Sequence, residues 1–517
     1  MYLSGREKVS YSILAIFTIL WAGAFSLLGM DLHHDGVMFK AAADAAAGKA
    51  VFREIFSQYG ILCPLFQGLI LKITGAELAA LKLITACFYG GIVVLIDLVW
   101  RRFLTRPFRI LNLVMFFVLA PYLMVPFHIW SSVYALFFIL LAAEFMLLGI
   151  SRLEKTPGAE TGNGKTKLLF FLSGICTAVI FGFRQPCGEV TLLAQLFAAV
   201  FLIRVYTRRP VLKDVLLPLF AGSAVILLLY AVYLTAADAW HDYLLQNFKF
   251  ISKFAYRRGG SGNIANLFET FFPRSESINF IFCIIPLAAL VLFFRHSRKF
   301  FSAPQELKKE LQLLTLLLFG LSSYHQYYPV PCVRHLYWAA LPMFGAYALV
   351  LQQIALSDLE KYKKVLAFLL LLPVLLWGGG LRMYGGFYRL SEFFQRRSSD
   401  LPGLRMIRHG RMELFICHFA AHLNQNLPPE LKKRGIFNYT GDGIWGVILP
   451  EGADFKHPMF VNWRQDVYAD YPAKAMEYIE KNRPAVLADT PFFHPSYGKV
   501  SEFQYMGKTC SLYLPRQ

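Results

Sequence analysis

Residues 11–36 read YSILAIFTILWAGAFSLLGMDLHHDG, twenty mostly apolar residues that lead directly into two aspartates and two histidines. An apolar run of this length crosses the roughly 30 Å hydrocarbon core of a bilayer. It is long for a signal peptide and no small-residue cleavage site ends it, so we interpret it as a retained helix. The ionisable groups of DLHHDG therefore stand where the first membrane helix emerges into water. Such groups are costly near a bilayer unless paired or hydrated, which makes them candidates for function.

The rest of the chain repeats this apolar pattern. Of its 517 residues 56% are hydrophobic and 16% are charged, against roughly 25% charged residues in a soluble protein. We predict a mainly α fold, a polytopic transmembrane bundle of about eleven helices followed by a small α/β domain. The predicted spans are 10–30, 78–100, 108–126, 131–150, 168–183, 188–206, 213–235, 278–296, 310–328, 335–355 and 364–384.

The net charge of +19 does not indicate a nucleic-acid partner, because most Lys and Arg residues lie in short clusters between apolar runs. Alternate connections carry these clusters, for example 101–109 and 204–209, and the positive-inside rule places them in the cytoplasm. An odd number of spans then puts the C-terminal region outside. We expect a membrane domain (1–385) with a first outer loop at 31–77, and an extracytoplasmic domain (386–517), in a bacterial inner membrane.

The first outer loop is too long for a hairpin between helices and too apolar for a solvated loop. Residues 36–47 (GVMFKAAADAAA) favour helix, and Gly48 suits its end. Residues 61–73 (ILCPLFQGLILKI) form an apolar run that is too short to span. Both segments are predicted to lie along the outer membrane surface as interfacial or re-entrant elements.

The C-terminal region differs in composition from the membrane domain, with more charge and turn motifs such as TGDG at 440–443. A helix is predicted near 472–482, and PAVLADTPF (484–492) is predicted to be a buried strand. His418 and His422 are four residues apart but lack the glutamate of an HExxH metal site. The sequence shows no complete set of metal ligands, but it does not decide whether a divalent cation takes part in the function.

Polar residues cluster at four predicted outer junctions. A carboxylate there suits removal of a proton from an attacking hydroxyl. An arginine suits a departing phosphate, because its planar fork forms bidentate hydrogen bonds. The task implied is group transfer from a lipid-linked phosphate to a hydroxyl at the membrane surface. The four junctions are DLHHDG with VFREIFSQYG (31–36 and 51–60), FGFRQPCGE (181–189), FKFISKFAYRRGG (248–260) and SSYHQYYPVPCVRHLYW (322–338).

The order of signals over residues 1–100 resembles the GT-C class of integral-membrane glycosyltransferases, which includes protein O-mannosyltransferases, the lipid A aminoarabinose transferase and bacterial lipopolysaccharide sugar transferases. Members typically carry an acidic motif, often Asp-Glu-Gly, in the first outer loop. An amphipathic helix ending in Gly and a YRDxFxxYGPL-like stretch follow. This chain has His34-Asp35-Gly36, then Gly48, then VFREIFSQYGIL at 51–62. The resemblance implies a polyprenyl-phosphate-linked sugar donor, inversion at the anomeric carbon, and an aspartate base in that loop.

The resemblance also implies roles for residues. Asp35 is the candidate base and Asp31 the alternate, because aligning Asp-Glu-Gly with residues 34–36 puts the usual aspartate on His34. The connection PYLMVPFHIWSS (121–132) lacks the acid that some relatives use there. Candidates for the donor phosphate are Arg184, Arg334, Arg258 and His335. Candidates for substrate binding are His34, Glu54, Tyr59, Gln58, Glu189 and His325. The acceptor is a saccharide, lipid or protein hydroxyl.

Other interpretations stay open at the level of sequence. Asp35 suits the N-cap of the helix that follows it, and Arg53 and Glu54 suit a local ion pair. Arg184 and Arg334 suit anchoring to lipid phosphates in general. A transporter or flippase of lipid-linked saccharides predicts broken helices with polar residues near the bilayer midplane. A non-catalytic protein of envelope assembly predicts no requirement for any single carboxylate.

Overall fold

The structure, a computed structural model, consists of a helical bundle with a small C-terminal domain at one end. Eight helical stretches within the described part of the chain are long and apolar enough to cross a membrane, and each predicted span coincides with a helix. The predicted membrane bundle with a small C-terminal domain is confirmed. The structure describes residues 4–154, 164–206, 211–250, 280–302, 308–327, 333–357, 360–450, 455, 457–459, 468–505 and 507–516.

The helices follow the apolar runs of the sequence. Two π-helical stretches, Val211–Leu216 and Val374–Arg382, lead directly into the α-helices that begin at Leu217 and Met383. The helices are α1 (Gly5–Ser26), α2 (His34–Ala46), α3 (Leu62–Thr74), α4 (Leu78–Trp100), α5 (Arg106–Val118), α6 (Ser131–Glu154), α7 (Gly164–Phe183), α8 (Gln185–Val205), α9 (Leu217–Ala236), α10 (Trp240–Leu244), α11 (Phe280–Ser302), α12 (Lys308–Ser323), α13 (Val333–Ala340), α14 (Phe344–Ala355), α15 (Glu360–Pro373), α16 (Met383–Ser391), α17 (Arg411–Asn426), α18 (Pro429–Arg434), α19 (Trp445–Ile448) and α20 (Tyr471–Asn482).

Local sequence signals explain how the first helices begin and end. Ser4 and Glu7 form a capping box at the start of α1, which satisfies backbone N–H groups that have no partner within the helix. The two helices predicted in the first outer loop are present as α2 and α3. Just beyond α2, Gly48 adopts a φ of +90°, a left-handed conformation that favours glycine.

The C-terminal domain contains one four-stranded sheet packed against helices. The strand order is β1-β2-β4-β3, with β1 and β2 parallel and the other two pairs antiparallel. Helix α20 connects the parallel strands, as a crossover requires. The predicted buried strand is β2, all four residues of which are buried. The strands are β1 (Ile436–Tyr439), β2 (Ala485–Ala488), β3 (Tyr497–Tyr505) and β4 (Lys508–Pro515).

The C-terminal domain lies directly against the first outer loop. The Gly29 N–H donates to the Arg408 carbonyl over 2.9 Å, and the Arg408 N–H donates to the Leu27 carbonyl over 2.8 Å. Further along, Gly36 at the start of α2 contacts the backbone of Gly443 and Ile444. The residues that leave α1 and enter α2 are therefore enclosed by both parts of the molecule.

Candidate active site

Asp35 is buried at the start of α2 beside two cationic or ionisable groups. Its carboxylate lies 2.9 Å from Lys82 Nζ and 3.6 Å from His128 Nδ1, and its side chain is 1% exposed. Burial raises the pKa of Asp35, but Lys82 and His128 lower that pKa by more, so the group stays ionised. The carboxylate is thus held as an anion inside the protein.

Lys82 comes from within the apolar helix α4 and is itself fully buried. Its ammonium group donates to the carbonyls of Gly29 and Phe127 over 2.9 and 3.0 Å. With the carboxylate of Asp35 these partners use the three N–H donors of a lysine. Lys82 therefore ties the end of α1, the connection before α6 and the start of α2 to one point.

Asp31 occupies the mouth of the cluster. Its Oδ1 accepts the backbone N–H groups of His33 and His34, which begin α2, and its Oδ2 accepts Nδ1–H of His34 over 2.9 Å. Asp35 does not cap the helix; it accepts the Asp31 N–H over 3.0 Å instead. The side chain of Asp31 is 21% exposed. Although burial opposes the charge, the contacts with His34 and His128 lower the pKa of Asp31.

Arg334 and His128 close the cluster from the side of α13 and α6. Arg334 lies 3.6 Å from the Asp31 carboxylate and its guanidinium donates to Nε2 of His128. Burial and the charge of Arg334 lower the pKa of His128, which is therefore a neutral acceptor near pH 7. Of the predicted residues, the structure brings Asp31, Asp35, His34 and Arg334 together.

An aromatic wall connects this cluster to Arg184. The ring of Trp130 lies 5.2 Å from the ring of His34 and 5.0 Å from that of Tyr59, both edge to face. Arg184 stands over Tyr59, with its Cζ 5.3 Å from the ring centroid, and donates to the Ser132 hydroxyl over 2.8 Å. A series of contacts therefore connects Asp31 to Arg184 through His34, Trp130 and Tyr59.

His325 and Gln58 lie at the edges of this region. Burial lowers the pKa of His325, and the charge of Arg184 lowers it further. Gln58 and Tyr59 line a small cavity between α2 and α3, together with the buried amide of Gln67. The first outer loop thus contributes both the carboxylates and the lining of a small, mainly apolar cavity.

Other predicted site residues lie elsewhere. Glu54 is exposed and accepts the Ala50 N–H over 2.9 Å, a local turn contact. Glu189 is exposed on α8, and the ring of His335 packs against Trp338. Arg258 lies outside the described residues.

The alternative interpretation of Arg53 and Glu54 as a local ion pair is wrong. The Arg53 guanidinium instead lies 3.3 Å from Asp242 and 3.8 Å from Asp238, after α9. The physical reason is that the turn aims the two side chains apart: the Glu54 carboxylate bonds to the turn itself, and Arg53 reaches a carboxylate that is almost buried.

Three residues of the cluster were missed at the level of sequence: Lys82, His128 and Trp130. Lys82 had a usable signal, since a single lysine within an apolar span requires a partner. His128 and Trp130 belong to the connection PYLMVPFHIWSS, which contains no acidic residue. Nothing in their spacing indicates that they meet DLHHDG. Within the described ranges, no three His, Cys, Asp or Glu side chains are grouped as metal ligands.

A second cluster secures the C-terminal domain to the end of α1. Glu413 accepts the N–H groups of Met30 and Gly410 over 3.3 and 3.0 Å, and lies 3.6 Å from buried His409. Burial lowers the pKa of His409, but contacts with Cys417 and Glu413 raise it by more, to about 9. Glu413 and His409 therefore form a charged pair at neutral pH.

Comparison with known proteins shows the fold of the chain. No protein-family model matches the sequence, and no curated protein does. Among solved structures, ArnT from Cupriavidus metallidurans bound to undecaprenyl phosphate is 10% identical with a TM-score of 0.58, covering 99% of this chain and 98% of that one. The archaeal oligosaccharyltransferase AglB from Archaeoglobus fulgidus, in complex with an inhibitory peptide and a dolichol-phosphate, is 11% identical with a TM-score of 0.51, covering 94% and 70%.

A third structure agrees with these two. The Archaeoglobus fulgidus oligosaccharyltransferase tethered with an acceptor peptide is 12% identical with a TM-score of 0.55. The match covers 93% of this chain and 69% of that chain. ArnT and AglB are both GT-C proteins. The chain therefore has the GT-C fold.

Proposed function

We propose that this protein is a glycosyltransferase that moves a sugar from a polyprenyl-phosphate-linked donor to an acceptor hydroxyl on the extracytoplasmic face, with inversion at the anomeric carbon. The observation that carries the proposal is the pair of ionised carboxylates near the end of the first helix, with Asp35 paired to Lys82 and Asp31 in contact with His34 and Arg334. The distribution of Lys and Arg between the spans supports an outward orientation for this position, at the bilayer surface where a lipid donor is available.

Asp31 is the carboxylate that accepts the proton, and Asp35 positions it. Asp31 is 21% exposed, whereas Asp35 is 1% exposed and bound to Lys82. The acceptor oxygen attacks the anomeric carbon and transfers its proton to Asp31, while the bond from that carbon to the phosphate oxygen breaks. The leaving phosphate retains the electron pair of that bond. Because the pKa of Asp31 is lowered, its carboxylate is ionised throughout the neutral range.

Arg184 is the candidate ligand for the departing phosphate. Ser132 accepts from one of its N–H groups and Tyr59 supports the guanidinium plane, and an arginine has five N–H donors. The remaining donors suit bidentate binding of phosphate oxygens. Arg334 lies closer to Asp31 and shares its charge between that carboxylate and the phosphate. The aromatic wall of Trp130 and Tyr59 suits packing against a sugar ring.

The test is transfer by purified protein in lipid nanodiscs, with radiolabelled polyprenyl-phosphate sugars and a panel of saccharide, lipid and peptide acceptors. Asp31→Asn and Asp35→Asn should each lower kcat by at least about 100-fold. Asp238→Asn is the matched control, since Asp238 is exposed and asparagine also accepts its positive φ. Full turnover by both Asp31→Asn and Asp35→Asn would refute the assignment, and lipid movement across the bilayer without sugar transfer would favour a flippase.

A further inference from the structure

The TGDG turn at 440–443, which follows β1, packs backbone to backbone against the start of α2. A Cβ atom on Gly36 would lie 2.3 Å from the Ile444 nitrogen, and one on Gly443 would lie 2.6 Å from the Val37 nitrogen. Only glycine at both positions permits this approach without movement of the backbone. The C-terminal domain is therefore fitted to the same residues that carry the two candidate carboxylates.

His33 extends from this contact into the C-terminal domain. Its Nδ1 lies 2.9 Å from the Gly441 carbonyl and 3.4 Å from the Asp442 carboxylate. Asp442 is 3% exposed, and its second oxygen lies 3.4 Å from Lys508. Lys508 also lies 3.4 Å from Asp489. The buried carboxylate of Asp442 thus contacts His33 with one oxygen and Lys508, at the start of β4, with the other.

The turn is itself braced from within its domain. Asp489 follows β2 and accepts the Gly441 N–H over 2.9 Å. Thr440 and Asn438 hydrogen-bond to each other and to the Asp442 carbonyl. These contacts leave the Asp442 carboxylate little freedom to follow His33 if His33 moves. The rigid partner in this contact is the C-terminal domain, and the segment it holds is 31–36.

We propose that Asp442 is a positioning residue for the transfer reaction: through His33 it sets the position of Asp31. The link is short, because the His33 and His34 N–H groups both donate to Oδ1 of Asp31. The inference rests on the proposed function and deepens it, since it makes the C-terminal domain part of the reacting site. Misplacing a reacting group by about 1 Å costs on the order of 100-fold in rate.

The experiment is a double-mutant cycle in the full-length protein, using the transfer assay described above. Asp442→Ala should lower kcat by about 10- to 100-fold with little change in KM for the lipid donor. His33→Ala should have a similar effect, and the double variant should be no slower than the slower single variant. Asp470→Ala is the matched control, because Asp470 is exposed in the same domain and its partners, Lys474 and His457, also belong to that domain.

Hydrogen exchange separates positioning from general loss of folding. In Asp442→Ala the amides of residues 31–36 should exchange faster, while those of β2 and β4 keep wild-type rates. Asp442→Asn, which retains the shape of the side chain, should give an intermediate kcat. Wild-type kcat in Asp442→Ala, or additive losses in the double variant, would overturn the inference alone. Absence of transfer by the wild-type protein would overturn the proposed function.

Discussion

Lys82→Met tests whether the buried ion pair holds the site together. The substitution preserves the length of the side chain and removes its charge, which leaves Asp35 as an anion at 1% exposure. Leaving one member of a buried ion pair without its partner costs about 3–5 kcal/mol. The Gly29 and Phe127 carbonyls also lose their donor, at about 1 kcal/mol or more each. The free energy of unfolding should therefore fall by about 5 kcal/mol or more.

Adding Asp35→Asn to Lys82→Met separates the electrostatic part of this cost from the rest. Asparagine removes the unpaired anion but does not restore a donor to the two carbonyls. The double variant should therefore be about 2 kcal/mol more stable than Lys82→Met. It should still fail to transfer sugar, because Asp31 loses the ion pair that orders its surroundings.

The assay is unfolding of the protein in mixed micelles by titration with sodium dodecyl sulfate, followed by circular dichroism. Lys72→Met is the control, since Lys72 is exposed on α3 and surface substitutions usually change stability by about 0.5 kcal/mol or less. A cost below about 1 kcal/mol for Lys82→Met, or further destabilisation when Asp35→Asn is added, would refute this account of the pair.

Three further predictions follow from the contacts. Gly36→Ala should abolish transfer and lower thermal stability in a melting assay, because its Cβ would lie 2.3 Å from the backbone of the C-terminal domain. The control Gly5→Ala should behave as wild type, because its Cβ would meet no atom within 4 Å. Arg184→Gln should raise KM for the lipid donor about 10-fold or more in steady-state kinetics, and an unchanged KM would remove Arg184 from the phosphate site. The pKa of His409 is raised to about 9, so the stabilisation from its charged form is fully present below pH 6.5 and is lost as the pH rises through 9. Unfolding titrations at several pH values should show this decline in the wild type and a flatter pH profile in Glu413→Gln.

The sequence was sufficient for the fold because membrane helices are specified by local information. Length and hydropathy alone define a span, and α2 and α3 were located from composition and Gly48. The position of the carboxylates followed in the same way, since DLHHDG directly adjoins the first span. The sequence could not indicate which of Asp31 and Asp35 is more exposed, because the exposure of each side chain depends on the distant segments that pack against it.

The basic side chains of the site are harder to predict because they come from distant parts of the chain. Lys82, His128 and Arg334 lie on three separate segments that meet only in the folded bundle. Arg334 was identified as a cation at an outer junction, but its partners were not. Asp442 was read only as part of a turn, since its contact with His33 depends on how the C-terminal domain docks.

The distribution of charge in the site indicates where a phosphate group would bind. Asp31 and Asp35 carry two negative charges, and Lys82 and Arg334 carry two positive charges within 4 Å of them. His128 is neutral because burial and Arg334 lower its pKa. These five groups compensate one another before any substrate binds. Arg184 lies over the ring of Tyr59 and forms no ion pair with either carboxylate. A phosphate bound to Arg184 would therefore be attracted by a positive charge that no adjacent carboxylate among the described residues neutralises. In the proposed reaction the base is therefore paired mainly with Arg334 and the leaving phosphate mainly with Arg184, which is connected to the cluster through the rings of Tyr59, Trp130 and His34.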